Sequence, residues 1–329
     1  KKVKVIVKLI DNKKIFLLED KFKKKTFIIC DFPKIREYSH IIKYLHLNNF
    51  FWGTVHLKCS PILKLNILNY IKILLLKKNK IDSMLMSLKN LFIKLPDPKF
   101  IVSNEKNLIL KNIKKNYTKL FILTNNFNYD NYLDIKKKKI GIKENFILYL
   151  DEGLYSHDDH IYMNFKNSHL SNKNDFIINL KNFFRKVEKK YKMPVYISLY
   201  PRFNFKNQKK IFKGFKIFKS NTALLVRESK LIIGHSSTAL DYPVIFEKPI
   251  NLIDSLNFNT YLKLNIKNLQ TLLNSNLIDL ESGVSNLNFE VIKKNYSAYK
   301  KLFIGNDNQK KKSYELMHMK FVEYTKKNK

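Results

Sequence analysis

The chain has 329 residues, of which 45% are hydrophobic and 13% aromatic, and its 63 basic and 27 acidic side chains leave a formal net charge of +36. That much apolar material excludes global disorder and suits one large or two ordinary domains, while 7 glycines and 8 prolines exclude collagen-like and linker-rich designs. The base is almost all lysine, with arginine only at Arg36, Arg185, Arg202 and Arg227, whereas binders of nucleic acid cluster arginine for its planar fork; the charge therefore points to anionic substrates and anionic lipid head groups, and no nucleic-acid partner is expected.

In chain order, Lys1–Ile10 alternates lysine with apolar residues, which is the period of a strand (Val3–Ile10) and not of a secretory leader. A second strand is expected at Thr26–Cys30. Two cysteines, Cys30 and Cys59, make neither a disulfide framework nor a zinc site by themselves. The most apolar stretch, Ile62–Leu76, is broken by Lys64 and Lys72 and is too short to span a bilayer, so it reads as a buried amphipathic helix, or one lying on a membrane surface, within a helical region over Ile62–Leu91. Strands are expected at Lys99–Ser103 and Lys119–Thr124. The run Lys136–Lys139, followed by Gly141, suggests a junction near residues 134–144.

Beyond that junction the pattern sharpens. Phe146–Leu150 is a short, wholly apolar strand. Asp175–Tyr191 places Phe176, Leu180, Phe183, Phe184, Val187 and Tyr191 at helical spacing. Pro194–Leu199 and Phe215–Phe218 read as strands, Thr222–Glu228 as a short helix, and Leu231–Ile233 as a strand ending at Gly234. A helical segment and a closing strand, Asn251–Ile253, follow. Short apolar strands alternating with helices imply a parallel sheet covered on both faces. The fold class is therefore α/β, with two Rossmann-like domains facing a cleft: residues 1–140, residues 141–294, and a helical tail over 295–329 with Tyr314, Met317, Phe321 and Tyr324 on one face.

Ligands of open parallel sheets bind beyond the carboxyl ends of the strands, and three such ends carry chemistry. The first is Asp151-Glu152-Gly153. Two adjacent carboxyls on a tight turn suit a general base, because burial and a like-charged neighbour raise one pKa toward neutrality. His157-Asp158-Asp159-His160 lies just beyond, and His157 joins the catalytic candidates. The second is Tyr200-Pro201-Arg202, where Pro201 fixes the exit from the strand and the Arg202 fork suits a phosphate. The third is Gly234-His235-Ser236-Ser237-Thr238-Ala239-Leu240-Asp241, a glycine and three hydroxyls at a helix head, an arrangement of free N–H groups that suits an anion. A helix starting at Ser237 would carry Pro243 in its second turn and be kinked by it, unless its start is irregular or later. P-loop, G-x-G-x-x-G, H-E-x-x-H, C-x-x-C and D-x-D motifs are missing, so neither a metal nor a cofactor beyond the donor substrate is expected.

The segment Gly234–Asp241, running on to Phe246-Glu247-Lys248-Pro249-Ile250, resembles the C-terminal signature of GT-B glycosyltransferases that build bacterial surface polysaccharide. The motif order resembles bacterial sialyltransferases, polysialyltransferases and Kdo transferases, which use CMP-sugars: an acidic-acidic-Gly motif (Asp151-Glu152-Gly153), then His-Pro, then Ser-Ser (Ser236-Ser237). Tyr200 stands here where those enzymes have the histidine. Leu150–Asp158, with Asn128-Tyr129-Asp130 before it, is also similar to a group of surface-carbohydrate biosynthesis proteins. The resemblance covers roughly residues 95–255.

It implies a metal-independent transferase that moves a sugar from a nucleotide-sugar, such as sialic acid or Kdo from a CMP-sugar, onto a lipid-linked surface glycan. It places the protein in the cytoplasm, peripheral on the inner face of the membrane. Asp151 or Glu152 would deprotonate the acceptor hydroxyl or, in a retaining enzyme, attack the sugar. Gly234, His235, Ser236, Ser237 and Thr238 would hold the donor phosphate with Arg202 and Tyr200, and His235 or Tyr200 would stand in for the missing histidine. The alternatives are a nucleotide-sugar epimerase or polyol-phosphate transferase of the same fold, or a non-catalytic binder of polyanions or membrane surfaces.

Overall fold

The computed structural model describes residues 27–30, 39–57, 95–105, 118–138, 141–155, 169–201, 205–282, 286–305 and 309–327. The strand read at Val3–Ile10, the helical region Ile62–Leu91, Cys59, His157 and Arg202 lie outside them. The described residues fall into two compact units. One holds those up to Leu57, those from Leu95 to Thr124, and the terminal helix from Tyr314; the other runs from Asn125 to Ser313, starting ahead of the junction suggested by the lysine run.

The first unit contains a four-stranded parallel sheet in sequential order: β1 (Phe27–Cys30), β2 (Phe51–His56), β3 (Phe100–Ser103) and β4 (Leu120–Leu123). Helix α1 (Ser39–Leu47) buries Ile41, Ile42 and Leu45 with Ile28, Cys30, Phe50 and Trp52. Burial pushes the Cys30 thiol up to about 12, so it packs as a small hydrophobe and is not a nucleophile. Strand β2 was not expected from the sequence, because Gly53 interrupts its apolar run. The glycine is required by packing: a Cβ there would collide with the Phe100 carbonyl and ring on the neighbouring strand. Phe321 of the terminal helix stacks on Phe27 (4.1 Å between ring centroids) and packs edge-on to Phe100.

The second unit opens with α2 (Phe127–Ile135), whose N-cap Asn126 accepts the Tyr129 N–H. Its elements then alternate: β5 (Ile147–Leu150), α3 (Lys173–Tyr191), β6 (Val195–Ser198), α4 (Phe205–Ile211), β7 (Lys216–Phe218), α5 (Thr222–Glu228), β8 (Leu231–Gly234), α6 (Asp241–Ile245), β9 (Ile250–Asp254), α7 (Thr260–Leu273), β10 (Asn276–Asp279) and α8 (Lys293–Tyr299), with α9 beginning at Ser313. The six strands are all parallel, in the order β10-β9-β8-β5-β6-β7. The chain thus builds outward from β5 to β7, returns to the other side of β5, and builds outward again to β10. This is the doubly wound Rossmann order, and right-handed crossovers then place helices on both faces. Strands β5, β6 and β8 are buried along their whole length, as a sheet covered on both sides demands.

The core joins the apolar stripe of α3 (Phe176, Leu180, Phe183, Phe184, Val187) to these strands and to Leu262, Ile266, Leu269 and Leu273 of α7. The sheet does not close at Asn251–Ile253; α7 and β10 extend it by one more strand. At Pro243 the helix start is the irregular, later one, and no kink is needed. A short 3-10 turn (Thr238–Leu240) precedes α6, so Pro243 is the third residue of a new helix, where its missing N–H has no intrahelical partner to lose.

Candidate functional site

The site follows from the topology. Strands β5 and β8 are neighbours in the sheet but lie on opposite sides of the reversal in chain direction. Their carboxyl ends are therefore side by side at the switch point, where doubly wound sheets leave a crevice. Asp151-Glu152-Gly153 follows one and Gly234-His235-Ser236-Ser237 follows the other, so residues some eighty positions apart meet. The Ser236 backbone N–H faces the Glu152 carboxyl closely enough to oppose the rise of its pKa, so the two turns meet.

The two acidic residues differ in their surroundings. Asp151 is buried and satisfied on every side. Its Oδ1 accepts the Gly153 N–H at 3.0 Å, and its Oδ2 accepts the Tyr155 hydroxyl at 2.7 Å and the Gln208 amide at 3.2 Å. The Tyr200 backbone N–H also bonds to it. Burial raises its pKa above the ordinary aspartate value, and these donors pull it back toward the charged form. Gln208 reaches from α4 and also faces the Tyr200 carbonyl, so this carboxyl ties the ends of β5 and β6 to the helix that follows them.

Glu152 is half-buried. Burial pushes its carboxyl up to about 8, the Ser236 N–H opposing and the Asp151 charge adding to the shift. Its Oε1 is buried with no hydrogen-bond partner, an unspent acceptor of the kind that calls for an explanation. Gly153 makes the turn possible. It has φ +64°, and the Tyr200 ring lies over it, 3.3 Å from where a Cβ would sit. Tyr200, half-buried, thus covers the turn at the place where the resembled enzymes have histidine.

The hydroxyl segment divides in the same way. Ser237 is the N-cap of the 3-10 turn, its Oγ accepting the Ala239 N–H at 3.1 Å. Ser236 is half-buried and Thr238 exposed. His235, expected among the phosphate-holding residues, lies inside the sheet end. It is completely buried, its Nε2 lies 2.7 Å from the Tyr149 hydroxyl, and Tyr149, Phe176 and Phe258 surround it. Burial pushes its pKa down to about 3, so the ring is neutral and props the turn from below.

A second buried carboxyl braces the segment. Asp241 Oδ2 accepts Asn126 Nδ2 at 2.7 Å and Asn128 Nδ2 at 2.9 Å, and its Oδ1 accepts the Tyr299 hydroxyl at 3.0 Å. Asn128 also donates to the Thr238 carbonyl at 2.9 Å. Burial pushes Asp241 up to about 7. Sequence reasoning did not place Asp241, Asn126, Asn128, Tyr155 or Gln208 in the site. Asn128 and Asp241 do stand inside the motifs that carry the family resemblance, which was the available hint; Gln208 carries none.

Two arginines are structural. Arg227 donates to the Ile135 carbonyl at 3.2 Å and pairs with Glu228, closing the end of α2; Arg185 pairs with Glu188 and donates to the Gly214 carbonyl at 2.7 Å. Among the described residues, no three His, Cys, Asp or Glu side chains gather as a metal-ligand set, and no helix is long and apolar enough to cross a membrane.

No protein-family model and no curated protein sequence matches the chain. Among solved structures it is similar to S. aureus MnaA in complex with UDP, at 13% identity over 95% of this chain and 80% of the other, with a TM-score of 0.46. It is similar to the UDP-GlcNAc 2-epimerase of Methanocaldococcus jannaschii at 14% identity over 95% and 82%, with a TM-score of 0.44. The glycosyltransferase SnogD from Streptomyces nogalater gives 10% identity over 91% and 98%, with a TM-score of 0.39.

Proposed function

We propose that the chain is a GT-B-type glycosyltransferase that moves a sugar from a nucleotide-activated donor, of the CMP-sugar class, to a lipid-linked surface glycan at the cytoplasmic face of a membrane. The observation that carries the reading is the meeting of Glu152 with the Ser236 turn at the switch point. There an acceptor atom without a partner stands beside backbone N–H groups suited to a phosphate.

In this mechanism Glu152 Oε1, ionised, takes the proton of the acceptor hydroxyl. The acceptor oxygen bonds to the anomeric carbon as the bond from that carbon to the donor phosphate oxygen breaks, its electron pair leaving with the phosphate. The Ser237 and Thr238 N–H groups face the charge that develops on the phosphate, and they are held in place beforehand by the Ser237 cap and the Asp241 brace. Asp151 does not act as the base; it fixes the turn that presents Glu152. Arg202 keeps the phosphate role that the resemblance assigns it, His157 stays a catalytic candidate, and Tyr200 shields the turn.

The test is titration of the purified protein with CMP, UDP and GDP species, followed by product analysis with and without an acceptor glycan. The expected result is binding of one nucleotide class, weakened by Ser236→Ala with Ser237→Ala, and turnover only with acceptor. Interconversion of the free nucleotide-sugar without acceptor would make the protein an epimerase. Failure to bind any nucleotide would remove the enzyme reading altogether.

A further inference from the structure

Helix α4 has two faces with different work. Inward, Gln208 is completely buried and holds Asp151 of the site. Outward, Lys206, Lys209, Lys210 and, one turn on, Lys213 are exposed at the spacing of a single helical face. The chain then enters β7, the edge strand of the six-stranded sheet, which adds exposed Lys216 and is followed by exposed Lys219. No acidic residue occurs from Phe205 to Ser220. Among the described residues, Glu144, itself exposed, lies 3.5 Å from Lys216 Nζ, and Glu188 reaches the turn after α4 through Arg185. Phe205, at the head of α4, leaves 38% of its surface in solvent beside the lysines.

A lysine on an edge strand blocks unwanted strand pairing, which accounts for Lys216 but not for the lysines of α4. The chemistry also argues against nucleic acid, since Arg185, which reaches the turn after α4, is engaged by Glu188 and the Gly214 carbonyl and its fork is not offered to base edges or phosphates. Compact ammonium charges around one exposed aromatic side chain match an anionic bilayer surface, the ring entering the head-group boundary and the lysines lying among lipid phosphates.

We propose that the face formed by α4, the turn after it and edge strand β7 docks onto an anionic lipid bilayer. This deepens the membrane placement proposed above by naming the face. Because Gln208 of the same helix grips Asp151, docking would hold the candidate site within one helix diameter of the surface that carries a lipid-linked acceptor.

The probe is a vesicle of equal parts phosphatidylglycerol and phosphatidylcholine, read by flotation. The protein should float with these vesicles, lose binding as salt rises, and not bind vesicles of phosphatidylcholine alone. Lys209→Glu with Lys210→Glu and Lys213→Glu should weaken binding about 100-fold or more, since each lysine near the surface contributes about fivefold. The matched Gln variants should fall in the same direction by less. A control set with the same charge change elsewhere in the unit, Lys267→Glu with Lys293→Glu and Lys294→Glu, should stay within about tenfold of wild type. Equal losses in both sets would reduce the effect to net charge, and no vesicle binding together with tight binding of a single-stranded oligonucleotide would replace the lipid by nucleic acid; either overturns the proposal. Flotation needs no turnover, so its outcome is independent of the nucleotide titration above.

Discussion

On the β6 flank of β5, Asp151 is closed in by donors from Gly153, Tyr155, Tyr200 and Gln208; on the β8 flank, Glu152 meets the Ser236 N–H and leaves Oε1 bare. The two carboxyls are adjacent in sequence and lie at the end of the same strand. A carboxyl whose lone pairs are all engaged has no capacity left for a substrate proton and acts as a tie between strand ends. A carboxyl buried with an unused acceptor oxygen is costly to the fold and useful to chemistry. Chemistry and scaffold are thus divided across one strand, between residues that look interchangeable in the sequence.

That contrast can be broken in four places. The largest effect should come from Glu152→Gln, which keeps shape and removes the proton acceptor. Sugar transfer should slow about 1,000-fold while nucleotide affinity changes by less than about threefold, as measured by steady-state kinetics and titration. A variant that retained ordinary turnover would take the base role away from Glu152.

Next comes Asp151→Asn, which turns an acceptor into a donor facing donors. It should lose about 2–3 kcal/mol of stability in urea unfolding, because buried partners are left unmatched. Wild-type stability in this variant would mean that Asp151 is not the tie described here.

A smaller effect is the pH response. The folded-state pKa of Glu152, about 8, lies above its ordinary 4.5, so the folded protein keeps a proton that the unfolded chain has already released. The contribution of this group to stability is therefore fullest below pH 4.5, declines as pH rises and levels off above about 8. Asp241, pushed up to about 7 from 3.8, acts in the same direction over its own window. Glu152→Gln should flatten the pH dependence by about 1–3 kcal/mol across that range, measured as the denaturation midpoint at either end. The same variant should remove a loss of nucleotide affinity above pH 8, where ionised Glu152 would repel a phosphate. The smallest effect belongs to Ser237→Ala, which should cost about 1 kcal/mol as a lost cap in thermal unfolding.

Much of the second unit was legible in the sequence. Strands β5, β6 and β8 and helices α3 and α5 stand within two residues of their expected bounds, because each is a short apolar run or a clean helical stripe with a local boundary, such as the Asn172 side chain capping the start of α3. Other elements were not read. Strand β10 (Asn-Leu-Ile-Asp) is too short and polar-flanked to stand out, and Gly53 disguised β2 until the approach of Phe100 explained it. Helix α7 did carry a stripe, Leu262, Ile266, Leu269 and Leu273, and could have been found by the same test that found α3. In the site, the three strand ends were visible as turns with chemistry. The inward rotation of His235 was not, because Gly-His-Ser-Ser reads as exposed until Tyr149 and Phe258 supply its surroundings.

Composition and periodicity alone determined an α/β chain of short buried strands with polar turns at their ends, since covering a parallel sheet on both faces leaves little choice of residue within the strands. Which turns meet, which carboxyl is saturated and which lysines share a face were decided only in three dimensions. Strand order, donor positions and burial arise between residues far apart in the chain, and no local pattern encodes the distance between them.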